Sequence, residues 1–92
     1  SLFPNTPALD VRDRLTVENP VEKLETVRLT LTAPVINAAR AVVFAVAGED
    51  KAEALKEILE GNVGPHDYPA KLVRPADGSV WMLDRTAASQ LS

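Results

Sequence analysis

The sequence predicts an α/β fold in which a mostly parallel sheet is flanked by helices, and three stretches carry that prediction. Ala41 to Ala47 is a continuous apolar run, AVVFAVA, rich in β-branched residues and too short to cross a bilayer. It has the pattern of a strand buried on both faces, as in a parallel sheet covered by helices. Directly after it, Gly48 breaks the run and Ala54, Leu55, Ile58 and Leu59 recur at helical spacing, with Glu53, Lys56, Glu57 and Glu60 on the opposite side. Upstream, Leu24 to Thr32 alternates with a period of two, Val27, Leu29 and Leu31 against Arg28, Thr30 and Thr32.

In chain order, Ser1 to Pro7 combines Leu2 and Phe3 with two prolines and is expected to be a loop with its apolar pair tucked inward. Asn5 to Asp10 suits a short helical turn. Val11 to Leu24 has sparse apolar residues, charges of both signs and Pro20, which predicts a solvated connection. The alternating strand is next. Pro34, with Val35, Ile36 and Ala39 behind it, opens a short helix that ends near Arg40. In the central unit, Asp50 and Glu53 have the spacing of a capping box, and Gly61 is placed to supply a left-handed stop. Asn62 to Pro69 has no periodicity and is a surface loop. Ala70 to Arg74 is a short candidate strand. Asp77-Gly78 signals a turn, Val80 to Leu83 a further, mostly buried strand, and Asp84 a cap for a last short helix over Arg85 to Leu91.

Ninety-two residues allow one small domain at most, and a doubly covered parallel sheet ordinarily takes more chain, so a portion of a larger domain is expected. Thirteen acidic residues against ten basic ones give a net charge of −3, and the basic residues form no run, which argues against a nucleic-acid surface. There is no cysteine, hence no disulfide, thiol nucleophile or zinc-thiolate site. No charged leader with an apolar core opens the sequence, so a cytoplasmic protein without a membrane partner is expected.

Few residues offer chemistry. His66 is the only histidine and lies in a proline-containing loop beside Asp67, a setting typical of a solvated side chain. One histidine without cysteine builds neither a metal cluster nor a Ser-His-Asp order. Anion binding is left. Lys51 falls in the first turn of a helix at the carboxyl end of a strand, where free amides and the helix dipole favour a phosphate; a solvated first-turn lysine would have the same sequence. Arg28, on the polar face of its strand, and Arg40, just before the central strand, add charge or serve as ion-pair partners.

Ser1-Leu2-Phe3-Pro4 with Pro7-Ala8-Leu9, Val27 to Thr32, Pro34 to Arg40, Val46 to Leu55, and Val80 to Asp84 with Ala87-Ala88 occur in the order found in 6-phosphogluconolactonases. The resemblance covers nearly the whole chain and extends to the glucosamine-6-phosphate isomerases around the Thr-Leu-Thr strand and the Gly-x-x-Lys turn. Asn37 to Arg40 and the Trp81 strand favour the lactonase. The resemblance implies the carboxyl-terminal part of one Rossmann-like domain that hydrolyses 6-phosphoglucono-1,5-lactone in the pentose phosphate pathway, with no cofactor and no metal. It implies a phosphate site at Lys51, with Arg28 and Arg40 as further cationic groups. The family's general-base histidine belongs to a motif ending in Ser-Leu-Phe-Pro, so it is expected upstream of Ser1, with no catalytic residue in these 92 and with His66 no substitute. The expected partner is the missing amino-terminal half or another copy of the chain. An amino-sugar-6-phosphate isomerase or deaminase, or a non-catalytic phosphosugar-binding or assembly module, is the alternative.

Overall fold

The computed structural model describes residues 1–92. It contains two small sheets and no larger one. Strands β1 (Thr16–Val21) and β2 (Thr26–Leu31) form an antiparallel hairpin, closed by a turn in which Glu25 N–H donates to Glu22 O at 3.0 Å. Helix α1 (Ala33–Asn37) leads to β3 (Val43–Val46), then to a 3-10 turn (Glu49–Lys51) and helix α2 (Ala52–Glu60). Strand β4 (Val80–Leu83) then pairs in parallel with β3, Val43 opposite Val80 and Val46 opposite Leu83. The α/β order and the parallel pair agree with expectation. The extended sheet is not present within these residues.

Strand β1 falls where a solvated connection was expected. Val17, Asn19 and Val21 point inward and Thr16, Glu18 and Pro20 outward, but an asparagine at an inward position and a proline beside it hide the alternation. Proline is tolerated in such an edge strand, whose outward N–H groups have no ladder partner to lose. The hairpin packs this face against a 3-10 turn, Pro7–Asp10, that buries Ala8 and Leu9.

The alternation in β2 is observed with its apolar side outward. Thr30 is buried opposite Val17, whereas Val27, Leu29 and Leu31 are exposed, Leu29 at 78%. The buried hydroxyls are satisfied: Thr30 Oγ1 donates to Leu31 O at 2.9 Å, and the buried Thr32 Oγ1 to Arg14 O at 2.6 Å. The apolar residues of the inner face, Val17 and Val21, therefore come from β1, while Asn19 of β1 and Thr30 of β2 supply its polar part.

Strand β3 is not buried on both faces. Phe44 and Val46, with Trp81 and Leu83, are half-buried toward α2, while Val43, Ala45, Val80 and Met82 are exposed on the other side. A two-stranded sheet with cover on one side leaves the other wet, and β4 shares this exposure. The amphipathic α2 buries Ala52 and Leu55.

Three local expectations are corrected. The Asp50–Glu53 capping box does not form, because Asp50 lies inside the 3-10 turn and α2 starts at Ala52 without a side-chain cap. Gly61 is extended, φ −88°, not left-handed; its missing side chain matters because a Cβ there would stand 2.8 Å from Glu57 O. Ala70 to Arg74 is not a strand. Pro69–Leu72 forms a 3-10 turn, and Asn37 takes the polar groups a ladder would need, its Nδ2 donating to Leu72 O at 2.9 Å and its Oδ1 accepting Arg74 N–H at 2.6 Å. After β4, Asp84 does cap the next segment, but Arg85 to Leu91 runs as consecutive turns and not as a helix.

Only 12 of 92 residues are buried, and the radius of gyration is 13.8 Å against about 12 Å for a closed domain of this length. The chain is thus more open than a self-contained domain.

Candidate functional site

Parallel pairing sets the carboxyl ends of β3 and β4 side by side, so the turns that leave Val46 and Leu83 share one edge of the sheet. After β3 comes Gly48, whose φ of +100° suits a residue without a side chain. After β4 comes Asp84, whose two carboxylate oxygens each lie 3.2 Å from Gly48 N. The same carboxylate accepts Ala87 N–H at 2.8 Å and the Thr86 hydroxyl at 3.1 Å. These bonds stabilise the ionised form and hold the Asp84 carboxyl below the usual carboxylate range, the Ala87 amide contributing most, desolvation opposing it, and Gly48 and Thr86 adding to it.

Gly48 also starts the turn that carries Lys51, since Lys51 N–H donates to Gly48 O at 3.2 Å. The Lys51 side chain is 60% exposed, with Nζ 3.9 Å from Asp50 Oδ2. It borders an apolar hollow of about 390 Å³ between the parallel pair and α2, walled by Phe44, Val46, Leu55, Ile58 and Trp81. The arrangement is an ammonium group at the start of a helix, at the carboxyl ends of parallel strands, which is where anions bind in open α/β sheets. Asp50 is its present counter-ion.

The other two cations stand apart from Lys51. Arg40 precedes β3, so the strand's length of about 10 Å separates the two along the sheet. Arg28 lies in the hairpin, opposite Asn19. Both arginines are exposed, and neither forms an ion pair. His66 is engaged away from this edge: its Nε2 lies 2.9 Å from Asp10 Oδ1, and its carbonyl accepts Asn5 N–H at 2.7 Å. No three His, Asp or Glu side chains converge to form a metal site, and no helix is long and apolar enough to cross a membrane.

Asp84 is the residue of this edge whose part sequence reasoning missed. Only its capping of the next turn was visible there. The available signal was its position directly after a strand that pairs with one ending in Gly48.

The Gly48-to-Lys51 turn on the shared edge of the parallel pair thus places an ammonium group where α/β sheets can bind an anion. The chain belongs to the glucosamine-6-phosphate isomerase/6-phosphogluconolactonase family, whose model matches residues 1–82. It is 50% identical over 92 residues to a 6-phosphogluconolactonase of Synechocystis, covering 99% of this chain and 37% of that protein. To the human 6-phosphogluconolactonase it is 44% identical over 94 residues, covering 100% of this chain and 36% of that one. The crystal structure of the devB protein superposes with a TM-score of 0.83 at 30% identity, covering 100% of this chain and 39% of the other. The chain thus spans a little over a third of the length of the relatives it matches.

Proposed function

We propose that this chain is the carboxyl-terminal portion of a 6-phosphogluconolactonase domain, and that the full-length protein hydrolyses 6-phosphoglucono-1,5-lactone to 6-phosphogluconate in the cytoplasm, in the pentose phosphate pathway. The observation that carries this is the 50% identity, across nearly the whole chain, to a protein of that name. In the proposed reaction a general base upstream of Ser1 takes a proton from water, and the resulting oxygen nucleophile attacks the lactone carbonyl. The ring C–O bond breaks as the base returns its proton to the leaving ring oxygen, giving a hydroxyl and a carboxylic acid that ionises to the carboxylate. Cationic groups hold the phosphate and lower the cost of the charge on the carbonyl oxygen. Lys51 is assigned to the phosphate, and its place at the carboxyl ends of β3 and β4 supports that assignment. Arg28, then Arg40, are assigned to substrate charge elsewhere. The exposed apolar faces of β2 and of the parallel pair are assigned to the amino-terminal half of the domain or to a second copy.

The test is an assay of the full-length protein and of the 92-residue chain, each with the lactone and with glucosamine 6-phosphate. Lactone hydrolysis above the spontaneous rate by the full-length protein alone is the expected result. Conversion of glucosamine 6-phosphate instead would overturn the lactonase assignment, and lactone hydrolysis by the short chain would overturn the placing of the base outside it.

A further inference from the structure

The hydrogen bonds at the carboxyl ends of the parallel strands converge on one side chain. Asp84 N–H donates to Val46 O at 3.3 Å, extending the ladder by one rung, and its carboxylate returns to the same strand two residues later by accepting Gly48 N–H. Gly48 in turn accepts Lys51 N–H. Two consecutive hydrogen bonds therefore run from Asp84 to the backbone of Lys51, with Gly48 the only residue between. A glycine at positive φ has no side chain with which to fix its own turn, so the direction in which the turn leaves the sheet depends on a tie from outside.

We propose that Asp84 is a positioning residue for the anion site, holding the Gly48 turn so that Lys51 and the opening of α2 face a sugar-bound phosphate. This rests on the assignment of Lys51 to the substrate phosphate. A carboxylate suits the task because it accepts several donors at once, here from Gly48, Ala87 and Thr86. Those donors offset its negative charge, which would otherwise oppose an incoming phosphate.

If Asp84 served only to cap the segment after β4, its loss would lower stability and leave substrate binding alone. The experiment is a double-mutant cycle in the full-length protein, with KM and kcat for the lactone and a thermal melt measured for each variant. Lys51→Ala should raise KM at least tenfold. Asp84→Ala should raise KM roughly threefold to tenfold, as expected from losing one or two ordinary hydrogen bonds behind the site. Its effect on kcat should be smaller. Asp84→Asn, whose amide oxygen still accepts Gly48 N–H, should recover part of the loss. On the Lys51→Ala background, Asp84→Ala should leave KM unchanged. Wild-type KM in Asp84→Ala, or an equal further rise on the Lys51→Ala background, would overturn the positioning role while leaving Lys51 in place. Wild-type KM in Lys51→Ala would remove the Lys51 assignment and the positioning role with it. Should Asp84→Ala fail to fold, Asp84→Asn takes its place in the same cycle.

Discussion

Phe44 and Trp81 stack face to face across the parallel pair, ring centroids 3.9 Å apart and planes within 6°. They are register partners on the side of the sheet that faces α2, and together they form much of the wall of the hollow beside Lys51. Cross-strand aromatic pairs add about 0.5–1.5 kcal/mol beyond the area they bury. Because Trp81 is only half-buried, Trp81→Ala should cost about 2 kcal/mol, below the roughly 3–5 kcal/mol of a fully buried aromatic. Denaturant unfolding of the full-length protein measures this. A cost under about 0.5 kcal/mol would mean that the stack contributes little to the fold.

Lys51 and Asp50 make a second prediction. Lys51→Ala should weaken binding of 6-phosphogluconate by about 1.5–3 kcal/mol, roughly 10- to 150-fold in Kd. Asp50→Asn should act in the opposite sense, because it removes the counter-ion 3.9 Å from the ammonium. Exposed ion pairs are worth about 0.2–1 kcal/mol, so the gain should be at most about fivefold. Calorimetric titration at fixed ionic strength distinguishes the two variants. Equal affinity in all three proteins would leave Lys51 as a solvated lysine.

Acid stability should depend in part on Asp84. Its carboxyl is depressed in the folded chain, so its contribution is present above the pKa of an unfolded aspartate and is lost as pH falls through the lower, folded value. Asp84→Asn should therefore narrow the stability difference between neutral and acid pH, seen as a smaller drop in Tm between about pH 6 and pH 3. An unchanged pH dependence would count against the hydrogen-bonded carboxylate.

The apolar faces predict self-association of the 92-residue chain. Val27, Leu29 and Leu31 on β2, and Val43, Val80 and Met82 on the parallel pair, are all exposed, Met82 at 62%. Contiguous apolar patches of this kind mark surfaces that are covered in use. Sedimentation of the isolated chain should show dimers or larger species, and Leu29→Lys with Met82→Lys should shift it toward monomer. A monomeric wild-type chain with cooperative unfolding would argue against both faces needing cover.

Where local pattern determines structure, the sequence was informative. β2, α1, β3, α2 and β4 all lie where periodicity and proline placement put them, and Asp84 accepts the amide its cap position implies. Failures came from non-local partners. Asn37 reaches across to Leu72 and Arg74 and removes the strand expected there, and Asn19 at an inward position conceals β1. The orientation of β2 depends on which face meets Leu9 and its neighbours, which alternation alone does not specify. Lys51 could be placed at the end of its strand from sequence, because strand, glycine and helix are adjacent in the chain. The bond from Asp84 could not, since it depends on β4 lying beside β3.

That pairing also has a kinetic side. The hairpin joins strands separated only by Glu22 to Glu25 and can close within microseconds, whereas β3 meets β4 only after residues 47 to 79 have been gathered between them. Contacts of such long sequence separation form late, because the entropy of closing the loop is lost before any pairing is gained. The amide of Gly48, bonded to a carboxylate that arrives with the last strand, should thus be among the last to gain protection from hydrogen exchange during refolding. The geometry of the turn that carries Lys51 should then be set only once β4 has paired with β3.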